Sequence, residues 1–307
     1  IIPKIAPKII SLICYPDYAK MKIALIGERI LKGNLGYKVE EEGEVVSAGS
    51  LAVNLEDFGE IIIPANFTYD KSYRVFLSTR EWGIFSDCKP INYSSLVLYL
   101  PFKEGSGSIA RDESGNENDA FVSADWVNGT KDFALRFDGN SQYAKVNDSP
   151  ELNSQTFSLY FWVLRETHDA DNEGIIEKRD TNDGFSVRSM SNGNLKFSVL
   201  SGGNEYTTFV NFSDNKWVNF FFIFNSTHIL LYENCSLTSA IPASFTPSSA
   251  PIFIGNGTQG YFNGAVDEVK FFRRALQPQE VEAYCPNYLK IEEDAYNGTW
   301  TEGGIAW

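Results

Sequence analysis

The chain has 307 residues, 43% of them hydrophobic, and a formal net charge of −14. That length exceeds the usual single domain, so two domains are expected. The acidic excess excludes nucleic acid as a partner, because such binding runs on Lys and Arg contacts to phosphate, and no apolar run approaches the ~20 residues a membrane-spanning helix needs.

Phe (23) and Tyr (15) are abundant, and short apolar runs are separated by Gly, Asn, Asp and Ser. This is an all-β composition. The chain begins at Ile1 rather than Met, which we read as a processed mature chain. Residues 1–13, IIPKIAPKIISLI, place Ile1, Pro3, Ile5, Pro7, Ile9 and Ile13 on one parity and Lys4 and Lys8 on the other. That is a strand with one apolar face. Both prolines remove N–H donors from the same edge, so the arm can pair on one side only, as an edge strand or as a strand added to a neighbour's sheet.

Residues 14–92 hold short strand candidates at Met21–Ile26, Tyr37–Glu41, Glu44–Val46, Leu51–Leu55, Glu60–Ile63 and Tyr73–Leu77, punctuated by Gly33, Gly36, Gly43, Gly49 and Gly59. The spacing predicts a small immunoglobulin-like sandwich. Lys89–Ser95 reads as a linker. From Leu96 to Cys285 a dense series of strand candidates follows, with short turns, which implies two packed sheets. Gln277–Tyr284 is a short helix candidate with Pro278 near its first turn. Residues 286–307 form a C-terminal tail expected, like the arm, to contact another copy of the chain.

Four cysteines remain, Cys14, Cys88, Cys235 and Cys285, with no CxxC, and the only histidines are His168 and His228. A zinc site is not expected. An even count suggests two disulfides; three pairings are open, and Cys14–Cys88 with Cys235–Cys285 is preferred because each closes one domain. Asn66, Asn92, Asn128, Asn211, Asn225, Asn234, Asn256 and Asn297 stand in N-x-S/T sequons. With the cysteines they place the chain outside the cytoplasm, at a cell surface.

The order of motifs from 96 to 285 carries a family resemblance. LVLYLPFKEGSGSIARDESGNENDA is followed by FALRFDGNSQYAKVNDSPELN, FSLYFWV and GIIEKRDTNDGFSV, then by NKWVNFFFIFN, FNGAVDEVKFFRRAL and QPQEVEAY. In this order they resemble the laminin G-like, concanavalin A-like jelly roll. The resemblance says nothing about residues 1–92.

Three constellations could carry chemistry. Asp267-Glu268 interrupts an apolar strand, and a buried carboxylate is costly unless paired or bound to a cation. In the resembling family the strand carrying Asp267 meets the loop Asp112–Asp119, often through calcium; the resemblance implies a structural calcium held by Asp112, Asn118 and Asp267. Being adjacent, Asp267 and Glu268 should face opposite ways, leaving Glu268 for Arg273 or Arg274. A second acidic cluster, His168–Glu173, fits an EF-hand poorly and reads as a solvated loop. Glycan binding is the third, since jelly rolls of this class often bind sugars on a sheet face. Arg188, Lys196 and Tyr206 are the expected ligand-binding residues. No strand shows the alternating acids of a glucanase, and no Ser-His-Asp order appears, so no enzyme is expected. The expected function is an extracellular, non-catalytic adhesion protein, a self-assembling filament or surface-layer subunit joined by strand addition from residues 1–13. The alternatives are a monomeric carbohydrate-binding module and, less favoured, a glycoside hydrolase.

Overall fold

The computed structural model describes residues 5–14, 18–27, 30–56, 58–67, 71–79, 83–88, 93–168 and 170–284. The chain divides into two compact units between Pro90 and Ile91. The N-terminal tetrapeptide, most of the linker and the 286–307 tail lie outside the described residues.

The first unit holds β1 (Ile5–Cys14), β2 (Tyr18–Gly27), β3 (Ile30–Glu41), β4 (Glu44–Glu56), β5 (Phe58–Pro64), β6 (Tyr73–Ser78) and β7 (Gly83–Cys88). They form one hydrogen-bonded path in the order β1-β2-β5-β4-β3-β6-β7. Between β4 and β5 that path hangs on the single pair Glu56–Phe58. It therefore divides into two layers, β1-β2-β5 and β4-β3-β6-β7. The chain crosses between layers after β2, β4 and β5, the Greek-key order of an immunoglobulin-like sandwich. Met21, Ile23, Ile61 and Ile63 of one layer share a core with Leu35, Val39, Val75 and Leu77 of the other.

Two sequence expectations change here. Residues 5–14 pair along β2 of the same chain from Ile5–Gly27 to Cys14–Ala19, so the pairing edge of the arm is used within the unit and not for a neighbour. Glycine punctuation also misleads. Gly33, Gly36 and Gly49 lie inside the long β3–β4 hairpin, and at Gly49 a Cβ would come within 2.8 Å of the Tyr37 ring. The ring covers the glycine and keeps the ladder continuous where composition alone suggests a break.

The second unit runs β8 (Leu96–Leu100), β9 (Ile109–Ala110), β10 (Ala120–Ser123), β11 (Asp125–Asn128), β12 (Phe133–Asp138), β13 (Tyr143–Val146), β14 (Phe157–Arg165) and β15 (Glu173–Arg179). It continues with β16 (Gly184–Ser189), β17 (Asn194–Ser201), β18 (Asn204–Asn211), β19 (Val218–Phe224), β20 (His228–Glu233), β21 (Ser236–Pro242), β22 (Ile252–Ile254), β23 (Asn263–Phe272) and helix α1 (Pro278–Ala283). One sheet has the order β18-β17-β16-β15-β22-β13-β10-β9. The other has β11-β12-β23-β14-β19-β20-β21, with β8 also on β23. This is the expected two-sheet jelly roll.

The core lies between the sheets. Phe157 stacks on Phe185 at 4.9 Å and on Phe271 at 5.6 Å, and meets Phe222 edge-on at 5.3 Å. A smaller apolar cluster of Leu96, Tyr160, Phe221, Phe272, Leu276 and Val281 covers the opposite side of the β23 sheet beneath α1.

Arg165, at the end of β14, is fully buried. Its Nε donates to Asp214 Oδ1 at 2.5 Å, and Nη2 donates to the carbonyls of Phe212 at 2.7 Å and Gly193 at 3.1 Å. Asp214 also meets His168 Nδ1 at 2.7 Å. The guanidinium thus ties the β14 end to two turns, and truncating it takes the charged partner from Asp214 Oδ1 and a donor from the Phe212 carbonyl. Arg165→Met should destabilise the second unit by ~3–5 kcal/mol in urea unfolding; a change below ~1 kcal/mol would show that the turns close without it.

Candidate functional site

The sheet that begins at β18 has two faces of opposite character. Phe185, Val187, Phe197, Val199, Ala144 and Ile254 point into the core. The outward positions line up in one register row: Phe121 opposite Lys145, Lys145 opposite Phe253, Phe253 opposite Glu177, Glu177 opposite Ser186, Ser186 opposite Ser198 and Ser198 opposite Thr207. The aromatic end is open. Phe121 is 46% exposed, Tyr143 lies 6.3 Å from its ring, and Phe253 lies 5.9 Å beyond Tyr143.

The ionic end is closed over. Glu177 and Arg188 are both buried and pair at 2.9 Å through Arg188 Nη2 and Glu177 Oε1. Thr258 completes the cluster: its backbone N–H donates to Glu177 Oε2 at 3.1 Å and its hydroxyl to Oε1 at 3.0 Å. The loop after β22 reaches this position because Gly257 packs on Gly174. A Cβ on Gly257 would lie 2.3 Å from Glu177 Oε2, so only glycine lets the loop close on the carboxylate. Arg188 Nε and Ser186 Oγ are buried without a hydrogen-bond partner among the described residues.

Between the two ends is a cleft of about 130 Å³ lined by Glu177, Arg179, Phe253, Asn256, Gly257 and Thr258. Arg179 Nε donates to the Asp180 carbonyl at 3.1 Å, while Nη1 stands 3.5 Å from Glu205. Lys196 meets Glu205 at 3.0 Å. Burial works against ionising Glu205, yet Lys196 holds its carboxyl below the usual range.

Of the expected ligand residues, Arg188 and Lys196 lie on this outward face, opposite one another. Tyr206 does not. It pairs with Val199 and packs against the core, and the aromatic beside Lys196 is Phe209. Phe121, Phe253, Glu177 and Arg179 escape a sequence reading. Phe121 and Phe253 sit on strands of four and three residues, too short for parity to declare which side faces solvent, and in β15 a register shift between Gly174 and Ile176 breaks the parity ahead of Glu177 and Arg179.

Asp112, Asn118 and Asp267, the residues of the expected calcium site, are each hydrogen-bonded within the chain. Asp112 Oδ1 accepts from the N–H groups of Tyr99 at 2.8 Å and Ser114 at 2.9 Å, and Oδ2 accepts from Ser114 Oγ at 2.8 Å and the Asn118 N–H at 3.0 Å. Asn118 Nδ2 donates to the Val97 carbonyl at 2.8 Å. Asp267 Oδ2 accepts from Thr130 N at 2.7 Å and Thr130 Oγ1 at 2.6 Å, and Oδ1 from Glu268 N at 2.7 Å. Each carboxylate oxygen of Asp112 and Asp267 thus accepts at least one hydrogen bond. Among the described residues no cluster of three His, Cys, Asp or Glu side chains could hold a metal.

Asp267 and Glu268 also share a side of the sheet, against the alternation expected of adjacent strand residues. Glu268 has φ of +53°, and the ladder with β14 slips between Tyr160–Lys270 and Trp162–Asp267. On the other edge of β23 the partner changes from β12, which ends at Val266, to β8, which starts at Val269. The bulge fills that handover and turns Asp267, Glu268 and Lys270 outward together.

Lys270 Nζ meets Glu268 Oε2 at 2.6 Å, with ring centroids of Tyr99 at 4.1 Å, Tyr160 at 5.0 Å and Tyr284 at 5.8 Å. Burial pulls Lys270 down to about 8, with Glu268 opposing. Burial raises Glu268, but Lys270 outweighs it and leaves the carboxyl below its usual range. Asp267 is raised, by burial first. Neither Arg273 nor Arg274 is the partner of Glu268; Arg274 pairs with Glu280.

The second acidic cluster is a turn support: Asp171 Oδ1 accepts from Ser191 N and Oγ at 2.8 and 2.6 Å, while residue 169 lies outside the described residues. Cys14 and Cys235 are disulfide-bonded; the side chains of Cys88 and Cys285 lie outside the described residues. Asn66, Asn128, Asn211 and Asn234 are exposed, Asn225 and Asn256 half-buried. Asn92 and Asn297 fall outside the described residues.

The second unit is thus a two-sheet jelly roll with an aromatic and ionic outward face. Residues 138–282 match the family model described as the concanavalin A-like lectin/glucanases superfamily. A curated relative, the non-toxic nonhemagglutinin type A of Clostridium botulinum, is 29% identical over 127 residues, 40% of this chain and 11% of that protein. The chain therefore spans about a tenth of that relative's length. Among solved structures, domain 4 of AbnA, a GH43 extracellular arabinanase from Geobacillus stearothermophilus in complex with arabinotriose, is 20% identical with a TM-score of 0.53, over 61% of this chain and 96% of that one. The binding domain of botulinum neurotoxin DC in complex with rat synaptotagmin II is 18% identical with a TM-score of 0.51, over 62% of this chain and 50% of that one. At these identities the likeness is one of fold.

Two outcomes test the Asp267 cluster. Asp267→Asn should lower stability by ~1–3 kcal/mol, since an amide nitrogen would face the Thr130 or Glu268 donors. EDTA should leave the wild-type melting temperature unchanged; a lowered value would restore the calcium reading. The folded value of Lys270 lies below its ordinary 10.5, so the unfolded chain holds the extra proton between about 8 and 10.5 and stability rises with pH through that window. Measured against Lys270→Met, the wild type should gain on the order of 1–2 kcal/mol between pH 7.5 and 9.5.

Proposed function

We propose that the second unit is a non-catalytic glycan-binding module of an extracellular adhesion protein. The row Phe121–Tyr143–Phe253, ending in the polar cleft, carries this reading. A sugar ring offers an apolar C–H face and a rim of hydroxyls; it calls for an aromatic surface beside converging donors and acceptors. Phe253 belongs to both parts, as the last ring of the row and a wall of the cleft. A cleft of about 130 Å³ suits one sugar substituent, with the remaining residues of the glycan lying on the rings.

The comparisons support the reading in one respect: the arabinanase domain that this chain covers almost entirely is described in complex with arabinotriose. Exposed sequons and disulfide-bonded cysteines support an extracellular setting. The filament reading loses the feature that motivated it, because β1 is paired within its own chain. A filament would need another surface.

A glycan array followed by calorimetry on the best ligand tests the proposal. Phe253→Ala should weaken binding tenfold or more, on the order of 1.4 kcal/mol, and Tyr143→Ala by a smaller factor. Arrays blank for every glycan class, or full affinity in Phe253→Ala, would end it. Release of reducing ends from a bound polysaccharide would show an enzyme instead.

A further inference from the structure

We propose that the cleft selects acidic glycans, taking a sugar carboxylate on Arg179 with Lys145 flanking it. The inference rests on the glycan-binding reading and names the ligand class. The outward positions of this sheet carry four cations, Lys145, Arg179, Arg188 and Lys196, against two anions, Glu177 and Glu205. The chain as a whole stands at −14. A cationic surplus on the face that bears the open aromatic row is therefore local and runs against the composition.

The surplus has an address. Arg188 is buried, with Nη2 held by Glu177 and Thr258 at 2.9 Å each, and Lys196 is held by Glu205 at 3.0 Å. Arg179 lines the cleft and is tied at three points, none of them through Nη2. Glu177 is 3.7 Å away, beyond hydrogen-bond range, and Glu205 is at 3.5 Å, the limit of it. Only Nε has a firm acceptor, the Asp180 carbonyl. Among the described residues Nη2 makes no hydrogen bond, so the guanidinium keeps donors for a planar oxyanion.

Lys145 pairs with no acid among the described residues and holds its ammonium 6.0 Å from the Phe253 ring. A sugar stacked on Phe253 would lie between these two cations. Glu177 cannot compete as a ligand acceptor, because Arg188 and Thr258 already occupy both of its oxygens. The fork of Arg179 matches a carboxylate bidentately, while Lys145 adds a point charge.

The test uses the full chain with three probes: an oligogalacturonate, the same oligomer as its methyl ester, and a sulfated neutral oligosaccharide. The ester keeps the shape and removes the charge. The acid should bind at least tenfold more tightly than the ester at ~0.05 M salt, with the ratio shrinking as salt rises. Arg179→Gln should collapse the ratio to near one, and Arg179→Lys should retain part of it. If Arg179→Gln fails to fold by circular dichroism, Lys145→Gln, at a half-exposed site, should still lower the ratio severalfold. Equal affinity for acid and ester overturns the inference and leaves glycan binding standing. Tighter binding of the sulfated probe overturns the carboxylate assignment. Absence of binding to any glycan removes both readings.

Discussion

The handover on β23 is the constraint on which the jelly roll depends. One strand is shared by three neighbours, and on one edge its partner changes from β12 to β8 between Val266 and Val269. A regular strand would leave backbone donors unpaired there, and a buried unpaired donor costs as much as a lost hydrogen bond. Asp267 answers with a side chain. Its oxygens accept the Glu268 N–H at the bulge and the Thr130 N–H and hydroxyl of the turn that feeds β12. Glu268 takes a left-handed conformation to make the bulge, at a cost of ~1–2 kcal/mol for a residue with a Cβ. Its carboxylate gains Lys270 and the Tyr99 hydroxyl in return.

The same rule recurs wherever this unit buries charge. Arg165 closes two turns, Lys178 reaches Asp148 at 2.6 Å and the Ala250 carbonyl at 2.7 Å, and Glu177 anchors the loop of Thr258. Each ion holds a connection rather than a ladder. Loops carry backbone groups that no strand satisfies, and a charged side chain offers several strong partners at once. Such pairs add little net stability compared with apolar replacements, but removing one member is expensive. They bind the jelly roll to one arrangement of its turns.

The outward face shows where this accounting stops. On the same sheet Arg188 and Lys196 hold close acid partners, whereas Arg179 meets its acids at 3.5 and 3.7 Å and Lys145 pairs with no acid among the described residues; both stand beside the half-buried Phe253 ring. Structural and recognition charges therefore differ by their partners and not by their residue type. That distinction is why the proposed ligand site is the cleft beside Phe253 rather than the Glu177–Arg188 pair.

Much of the fold was legible in the chain. Alternating runs such as FSLYFWV, FSVRS and NLKFSVL declare strands, and the motif order from Leu96 onward declares the jelly roll. Patterning by hydrophobicity is local and survives without a partner strand. The site was less legible. Arg188 and Lys196 show their outward parity in strands of unbroken alternation, but Phe121 and Phe253 sit on strands too short to display one, and Tyr206 is expected on the ligand face although its register partner, Val199, belongs to the core. Asp267 and Glu268 were read as opposed because the alternation rule assumes an unbroken strand; the bulge that unites them arises from two other strands meeting on the edge of β23. Sequence by itself determined the all-β class, the division of labour between apolar and polar parity, and the need of Asp267 for a partner. Tertiary structure alone decided which partner, which charges were paired closely and which aromatic rings stood open, because each depends on register between strands, from 9 residues apart for Lys196 and Glu205 to 137 for Thr130 and Asp267.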